Sequence, residues 1–394
     1  MNPIRRNVAL LACCQAFLLV NNVIFITING LAGFMLAPDK ALATLPVTTY
    51  VIGSACWAIP ASHFMKRRGR RAGFTFGSAM GFLGAAICGL AVSQQSFGLL
   101  LAGTLVTGAY NAFAIQYRFA ASDMASDDFR AKAIALVLAG GIVGGIIGPE
   151  MAKHTIDILP ARYLGAYLML MVAAVLSMLV LRQLRIPDPK PDAQPEPGRP
   201  LREIARQPAF AVAILCAAFG YGVMNLLMTA TPLAMGHEHH PFAMTALVIE
   251  WHVIGMYGPG FFTGSLIKRV GVLPVLAAGI ALNLVCVAIG LSGHEVMHFW
   301  LALFLLGIGW NFLYVGGTTL LTETYRPAER AKVQGFNDSC VFATMAVSSF
   351  SSGMLLHADG WSMLNRMSLV PIAVLLVAVI WIARVRRRPA AGPA

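Results

Sequence analysis

Long apolar runs broken by short polar or basic segments follow one another from Val8 to Arg384. They fall near residues 8–36, 44–64, 72–92, 97–118, 132–152, 163–182, 208–235, 243–266, 272–292, 297–322, 333–356 and 364–384. A helix needs about 20 such residues to cross roughly 30 Å of hydrocarbon. No water reaches those depths, so each run must satisfy its own backbone N–H and C=O groups, and the pattern predicts twelve transmembrane α-helices. The first run is too long for a cleaved leader and lacks a small-residue cleavage site, so it is expected to stay as a helix.

Composition agrees: of 394 residues, 58% are hydrophobic and only 12% charged, and the mean hydropathy is +0.71. Soluble globular domains lie well below this. The net charge of +12 is unevenly placed. With both termini inside, the inner segments hold Arg5, Arg6, the Lys66–Arg71 cluster, Arg118, Arg130, Lys132, the central loop Arg182–Arg206, Lys268, Arg269, Arg326, Arg330, Lys332 and Arg384–Arg388. The outer side holds Lys40, Lys153, Arg162 and Arg366. This asymmetry predicts a multi-pass protein of a bacterial inner membrane with cytoplasmic termini. The positive charge is thus a topology signal, and no nucleic-acid partner is expected. All seven cysteines (Cys13, Cys14, Cys56, Cys88, Cys216, Cys286 and Cys340) fall within the runs, which argues against a disulfide framework.

One proline-dense stretch, Pro187 to Pro200, reads as an extended connection. It divides the chain into an N-terminal six-helix half (1–182), a cytoplasmic linker (183–207) and a C-terminal six-helix half (208–394). The halves repeat one another. Gly69 recurs as Gly271, Tyr110-Asn111 as Trp310-Asn311, and Arg130-Ala131-Lys132 as Arg330-Ala331-Lys332, all at an offset of 200 to 202 residues. Two six-helix pseudo-repeats of this kind resemble the major facilitator superfamily. Its loop signature is visible in Ser62-His-Phe-Met-Lys66-Arg67-Arg68-Gly69-Arg70-Arg71 and in Gly264-Ser-Leu-Ile-Lys268-Arg269-Val-Gly271, although a Lys stands where the family usually has Asp. The resemblance implies the major facilitator fold, while the altered position puts the usual Asp-based gating pair in doubt. Gly140, Gly144 and Gly148-Pro149 are similar to the glycine motif of many antiporters, or are simply small residues for close helix packing.

In that superfamily the first, fourth, seventh and tenth helices line a central cavity. Here they carry Asn21 and Asn22, Asn111, Asn225 and Asn311, which could face a polar solute or tie helices together. The seventh and eighth runs carry Met224-Asn-Leu-Leu-Met228 and His252-Val-Ile-Gly-Met256, and a spacing of four puts each pair on one helix face. Counted at about 1.5 Å per residue, Met228 and His252 lie roughly 10–14 Å below the outer end, and Met224 and Met256 roughly 16–20 Å. Thioethers and imidazole suit cuprous copper and are poor ligands for Mg²⁺ or Ca²⁺. With 19 methionines a pair at this spacing arises by chance, and Met363 with Met367 supplies another. Met also fills ordinary cores. His252 carries more weight, because a deep intramembrane ionisable group is functional by default.

The two paired motifs together resemble CcoA-like copper importers, a bacterial branch that supplies copper for cbb-type haem-copper oxidase assembly. The resemblance implies a copper importer working by alternating access, with Met224, Met228, His252 and Met256 as metal ligands. Copper, as Cu(I), is then cargo; no resident cofactor and no enzymatic activity are expected. The partners implied are the lipid bilayer and a periplasmic or cytoplasmic copper chaperone, for a chain acting as a monomer. A sister branch resembles riboflavin transporters, so an organic-solute carrier is the alternative, and a non-transporting metal sensor the second.

His154, His237, His239, His240, His294, His298 and His357 fall at the outer face, with Met235 and Met244 beside His237-Glu-His-His240. They could collect metal, sense pH or be solvated polarity. Cys216, Cys13 and Cys14 lie nearer the cytoplasm and could receive the ion or merely pack. Glu150, Glu250 and Asp338 are the acids nearest the membrane interior, and any of them could carry a proton.

Overall fold

A computed structural model describes residues 3–186 and 198–387; most of the proline-rich linker and Arg388 lie outside the described residues, as do the side chains of Arg130, Ala131 and Ala331. The described chain is helical with no strand: α1 Pro3–Leu36, α2 Leu45–Arg68, α3 Arg70–Ser93, α4 Phe97–Ala114, α5 Tyr117–Met124, α6 Asp127–Thr155 and α7 Leu164–Arg182 precede the linker. After it come α8 Leu201–Ile204, α9 Pro208–His237, α10 Phe242–Tyr257, α11 Gly260–Val270, α12 Val272–Ser292, α13 Val296–Thr322 and α14 Arg330–Arg387. Ten of the described helices are long and apolar enough to cross a bilayer. One of them, α14, bends at Asp359 and Gly360 and passes twice, and α10 continued by α11 makes a further passage. Passages of the described residues therefore number twelve, an even number that puts Pro3 and Arg387 at the same end of the bundle.

The repeat has a local physical cause at two glycines. Gly69, between α2 and α3, has φ 83° and ψ 156°; Gly271, between α11 and α12, has φ 90° and ψ 163°. Only a residue without a Cβ adopts that region cheaply, so each half reverses direction on the same sharp glycine hinge.

Close packing accounts for the glycine stripe. A Cβ at Gly140 or Gly144 would overlap the carbonyl oxygens of Ala12 and Ala16, and Gly148 faces Val20. Positions four apart on α6 thus ride along positions four apart on α1, letting the two backbones approach. Whatever the motif does elsewhere, here it seats α6 on α1.

Two of the three buried apolar clusters draw on residues before Ile186, and the third draws mainly on residues after Leu201. The halves meet at the end remote from the termini. There the Thr48 and Ser349 hydroxyls are 3.1 Å apart, the Gly353 N–H donates to Thr44 Oγ1 at 3.1 Å, and Phe34 lies edge-on to His237. At the termini-bearing end the described tail of the linker is fastened instead. Arg199 donates from Nε and Nη2 to the two Glu329 oxygens at 2.9 and 2.8 Å, and the backbone N–H groups of Arg199 and Arg326 donate to the same carboxylate. These hydrogen bonds, the Arg199 guanidinium's first, hold the Glu329 carboxyl well below the usual carboxylate range.

Candidate functional site: a cavity between the two halves

Because the halves touch at the remote end and part toward the other, they enclose a cavity of about 580 Å³. Its lining comes from α1, α2 and α4–α6 on one side and α9–α11, α13 and α14 on the other. On α4–α6, α13 and α14 the lining residues sit in the portions nearest the termini-bearing end.

Among apolar residues the N-terminal wall carries a polar chain bonded to itself. Tyr50 donates its hydroxyl to Asn22 Oδ1 at 2.5 Å, Asn22 Nδ2 donates to Asn111 Oδ1 at 3.2 Å, and Asn111 Nδ2 donates to Ser54 Oγ at 3.2 Å. Asn21 stands behind this wall and donates to Asn22. On the other wall Asn225 donates to Met345 O and Ser348 Oγ, while Asn311 donates to Met256 O and accepts from Thr263. Asn22, Asn111, Asn225 and Asn311 all line the cavity. Each also ties one helix to another, so the two readings of these residues are compatible.

The C-terminal wall is aromatic. Trp310 and Tyr314, one turn apart on α13, stack at 5.1 Å and 8°. Tyr221 of α9 stands edge-on to both, at 5.2 and 5.6 Å, and Tyr257 of α10 approaches Trp310 at 6.1 Å. Four rings from three helices thus surround one part of the cavity. Arg118 is the one cation among the lining residues and Asp338 the one acid.

Met224, Met228 and Met256 line the same cavity. Tyr221, Met224, Asn225 and Met228 share one face of α9, spaced by three or four residues, which is what turns this strip toward the cavity. His252 is fully buried on the α13 side of α10, outside the lining: its Nδ1–H donates to Leu303 O at 2.6 Å, and its Nε2 has no partner.

Comparison with known proteins fits this architecture. Residues 11–258 and 214–394 match the sequence profile of the Major Facilitator Superfamily. The riboflavin transporter RfnT of Brucella anthropi is 40% identical over 379 residues, covering 95% of each chain. The chain belongs to the major facilitator superfamily. An uncharacterised transporter of the same type, YddS of Bacillus subtilis, is 29% identical over 377 residues, 91% of this chain and 86% of that protein. Among solved structures, a bacterial homologue of the human lysosomal transporter Spinster, inward-facing and unoccupied, superposes with a TM-score of 0.71 at 14% identity, covering 96% of both chains. The nucleoside transporter NupG gives 0.68 at 13%, covering 99% of this chain and 100% of its own. At those identities the likeness shows the fold alone.

Within this facilitator the cysteines that could receive copper or merely pack stand apart from the cavity. Cys14 and Cys216 are fully buried, Cys13 is exposed, and none of the three lines the cavity. Cys216 packs against Gly317, as a small apolar residue would. At the remote end Met235, expected beside the outer histidines, is fully buried in the core. His237 and His239 are exposed, but His240 is bonded to His294 O at 2.7 Å, and His294 to Glu238 at 2.7 Å. Among the described residues no group of three or more His, Cys, Asp and Glu could hold a metal ion. Of the three acids considered for coupling, Glu150 pairs with Lys153 and His154, Glu250 lies off the cavity, and Asp338 lines it. The aromatic wall went unseen in the sequence, although Trp310 and Tyr314 one turn apart, and Tyr221 three residues before Met224, carry a helical-face signal.

Proposed function

We propose that this protein carries a planar, polar heteroaromatic solute of the riboflavin type across the bacterial inner membrane by alternating access, with both termini in the cytoplasm. The observation that carries the reading is the set of Tyr221, Tyr257, Trp310 and Tyr314 around the cavity. Offset and edge-to-face contacts with a ring add about 0.5–1.5 kcal/mol each beyond area burial. Scale points the same way: cavities for small organic ligands run to about 300–1,000 Å³, and this one is about 580 Å³. A single low-coordinate metal ion needs no such volume. The 40% identity to a riboflavin transporter supports the same choice.

Transport follows from the arrangement of contacts. Hydrogen bonds between α2 and α14 seal the remote end, while the cavity reaches toward the termini-bearing end. Rocking of the halves about the bound solute exchanges which end is sealed. Uptake of radiolabelled riboflavin by cells unable to make it, with and without this chain, tests the reading. Chain-dependent, saturable uptake is expected; identical uptake in both would remove it.

A second reading, copper import, keeps one specific observation in its favour. Three thioethers, Met224, Met228 and Met256, share the cavity, and the buried Nε2 of His252 lacks a partner. Against it stand the positions of His252, Cys13, Cys14 and Cys216, none of which lines the cavity. Radiocopper uptake blocked by Ag⁺ but not by Mn²⁺ is the outcome that would favour it.

A further inference from the structure

We propose that Arg118 and Asp338 are the residues that set which flavin-like solutes this cavity accepts: Arg118 reads a hydrogen-bond acceptor edge on the ring system, and Asp338 admits hydroxyl groups while turning away a phosphate. The inference rests on the riboflavin-type reading above. It adds what the aromatic wall cannot supply, because stacking tolerates any flat ring.

Arg118 is the second residue of the short helix α5, just beyond the break at Ile115 and Gln116 that ends α4. Among the described residues its guanidinium has no ion-pair or hydrogen-bond partner, and its Nε is buried without one. Its one close companion is the Phe119 ring, 4.8 Å away. A guanidinium cannot shed its charge, and an unbonded donor out of reach of water is destabilising. Arg118 lines the cavity from the N-terminal half, and Tyr221, Tyr257 and Asp338 line it from the other. A ring held among Tyr221, Tyr257 and Trp310 therefore shares its cavity with a fork of unused donors. Carbonyl oxygens flanking a ring nitrogen, as at the imide edge of an isoalloxazine, match that fork.

Asp338 comes from the opposite half, on α14, and lines the same cavity. It accepts one hydrogen bond, from Asn337 Nδ2 at 3.2 Å, and forms no salt bridge with Arg118. A carboxylate with free lone pairs accepts from hydroxyls, such as those of a polyol side chain. The same carboxylate repels a phosphate monoester, which carries about −1.5 to −2 charge at neutral pH. Arg118 alone would welcome such a dianion; Asp338, lining the same cavity from the other half, opposes that welcome. The chain is thus built for the neutral, hydroxylated solute over its 5′-phosphate.

The test is a flavin-fluorescence quenching titration of the purified full chain in detergent with riboflavin and, separately, riboflavin 5′-phosphate. Wild type is expected to favour riboflavin by about tenfold or more, the scale of one like-charge contact in a half-buried site. Asp338→Asn should shrink that preference about tenfold, and Arg118→Gln should weaken riboflavin about tenfold, with Arg118→Lys in between. The preference is a ratio within one preparation, so partial misfolding does not move it, and Asp338→Ser serves if Asn is not tolerated. An unchanged ratio in the Asp338 variants, or unchanged riboflavin affinity in Arg118→Gln, overturns the proposal and leaves the riboflavin-type reading standing. No quenching of either flavin by wild type overturns both.

Discussion

The two walls of the cavity are built on different principles. On the N-terminal wall Tyr50, Asn22 and Asn111, with Ser54 behind them, use their donors and acceptors on one another. On the C-terminal wall Tyr221, Tyr257 and Tyr314 are only half-buried and leave ring surface toward the cavity, while Trp310, buried at 5% exposure, backs them by stacking on Tyr314 and meeting Tyr221. A satisfied network has little left to offer a ligand, since exchanging one good hydrogen bond for another gains little. Half-buried aromatic surface has more to offer. The polar wall therefore fixes the shape of the cavity, and the aromatic wall supplies the binding energy.

Variants on the two walls should separate these roles. The largest effect is expected from Trp310→Ala, which removes the ring that both stacks on Tyr314 and meets Tyr221. Loss of such an aromatic anchor should weaken riboflavin binding by about 30- to 100-fold, read by quenching titration. A loss under threefold would mean that the solute does not sit among these rings. Next comes Asn22→Ala, which strips the Tyr50 hydroxyl of its acceptor inside the bundle. It should destabilise the fold by about 1–3 kcal/mol, seen as a lower melting temperature in detergent, with a smaller loss of affinity in the folded fraction than Trp310→Ala gives. Should Asn22→Ala abolish binding while leaving the melting temperature alone, the polar wall is a contact surface and the contrast fails.

Smaller effects sharpen the choice of cargo. Met228→Leu keeps volume and apolar character, so riboflavin uptake should fall less than about threefold; a copper site would lose a ligand and its uptake altogether. Smallest of all, changing His237, His239 and His240 together to Gln should shift the half-saturating riboflavin concentration less than about twofold, because these groups lie at the sealed end and away from the cavity. A large rise would restore the collecting role considered for that loop.

Much of the fold was legible because hydrocarbon leaves the backbone so few options. Twelve apolar runs predicted twelve passages, and the paired Gly69 and Gly271 marked two hinges that share one strained backbone region. The site was legible only in part. Asn22, Asn111, Asn225 and Asn311 could be placed on the cavity from helix number alone, but whether they faced a solute or another helix depended on partners up to 123 residues away, as for Asn225 and Ser348. Met224 and Met228 stood out as a rare residue type at regular spacing and drew the reading toward soft metal chemistry. Tyr221 on the same face of α9 did not stand out, since a lone tyrosine in an apolar run looks like any core residue. It gains meaning only when α13 brings Trp310 and Tyr314 beside it, a long-range contact that spacing along one helix cannot report. His252 shows the converse: its depth was visible, while its commitment to Leu303 O on α13 required the packed structure.

The most direct measurement is counterflow in liposomes. Purified chain is reconstituted, unlabelled riboflavin is trapped inside, and entry of labelled riboflavin from outside is followed with and without Cu(I) or Ag⁺. A carrier with an aromatic cavity predicts a transient overshoot of label that depends on the trapped riboflavin, vanishes in Trp310→Ala, and is little changed by either metal. No overshoot in liposomes that take up radiocopper through the same protein would contradict the account, and would place the methionines, rather than the rings, at the centre of its function.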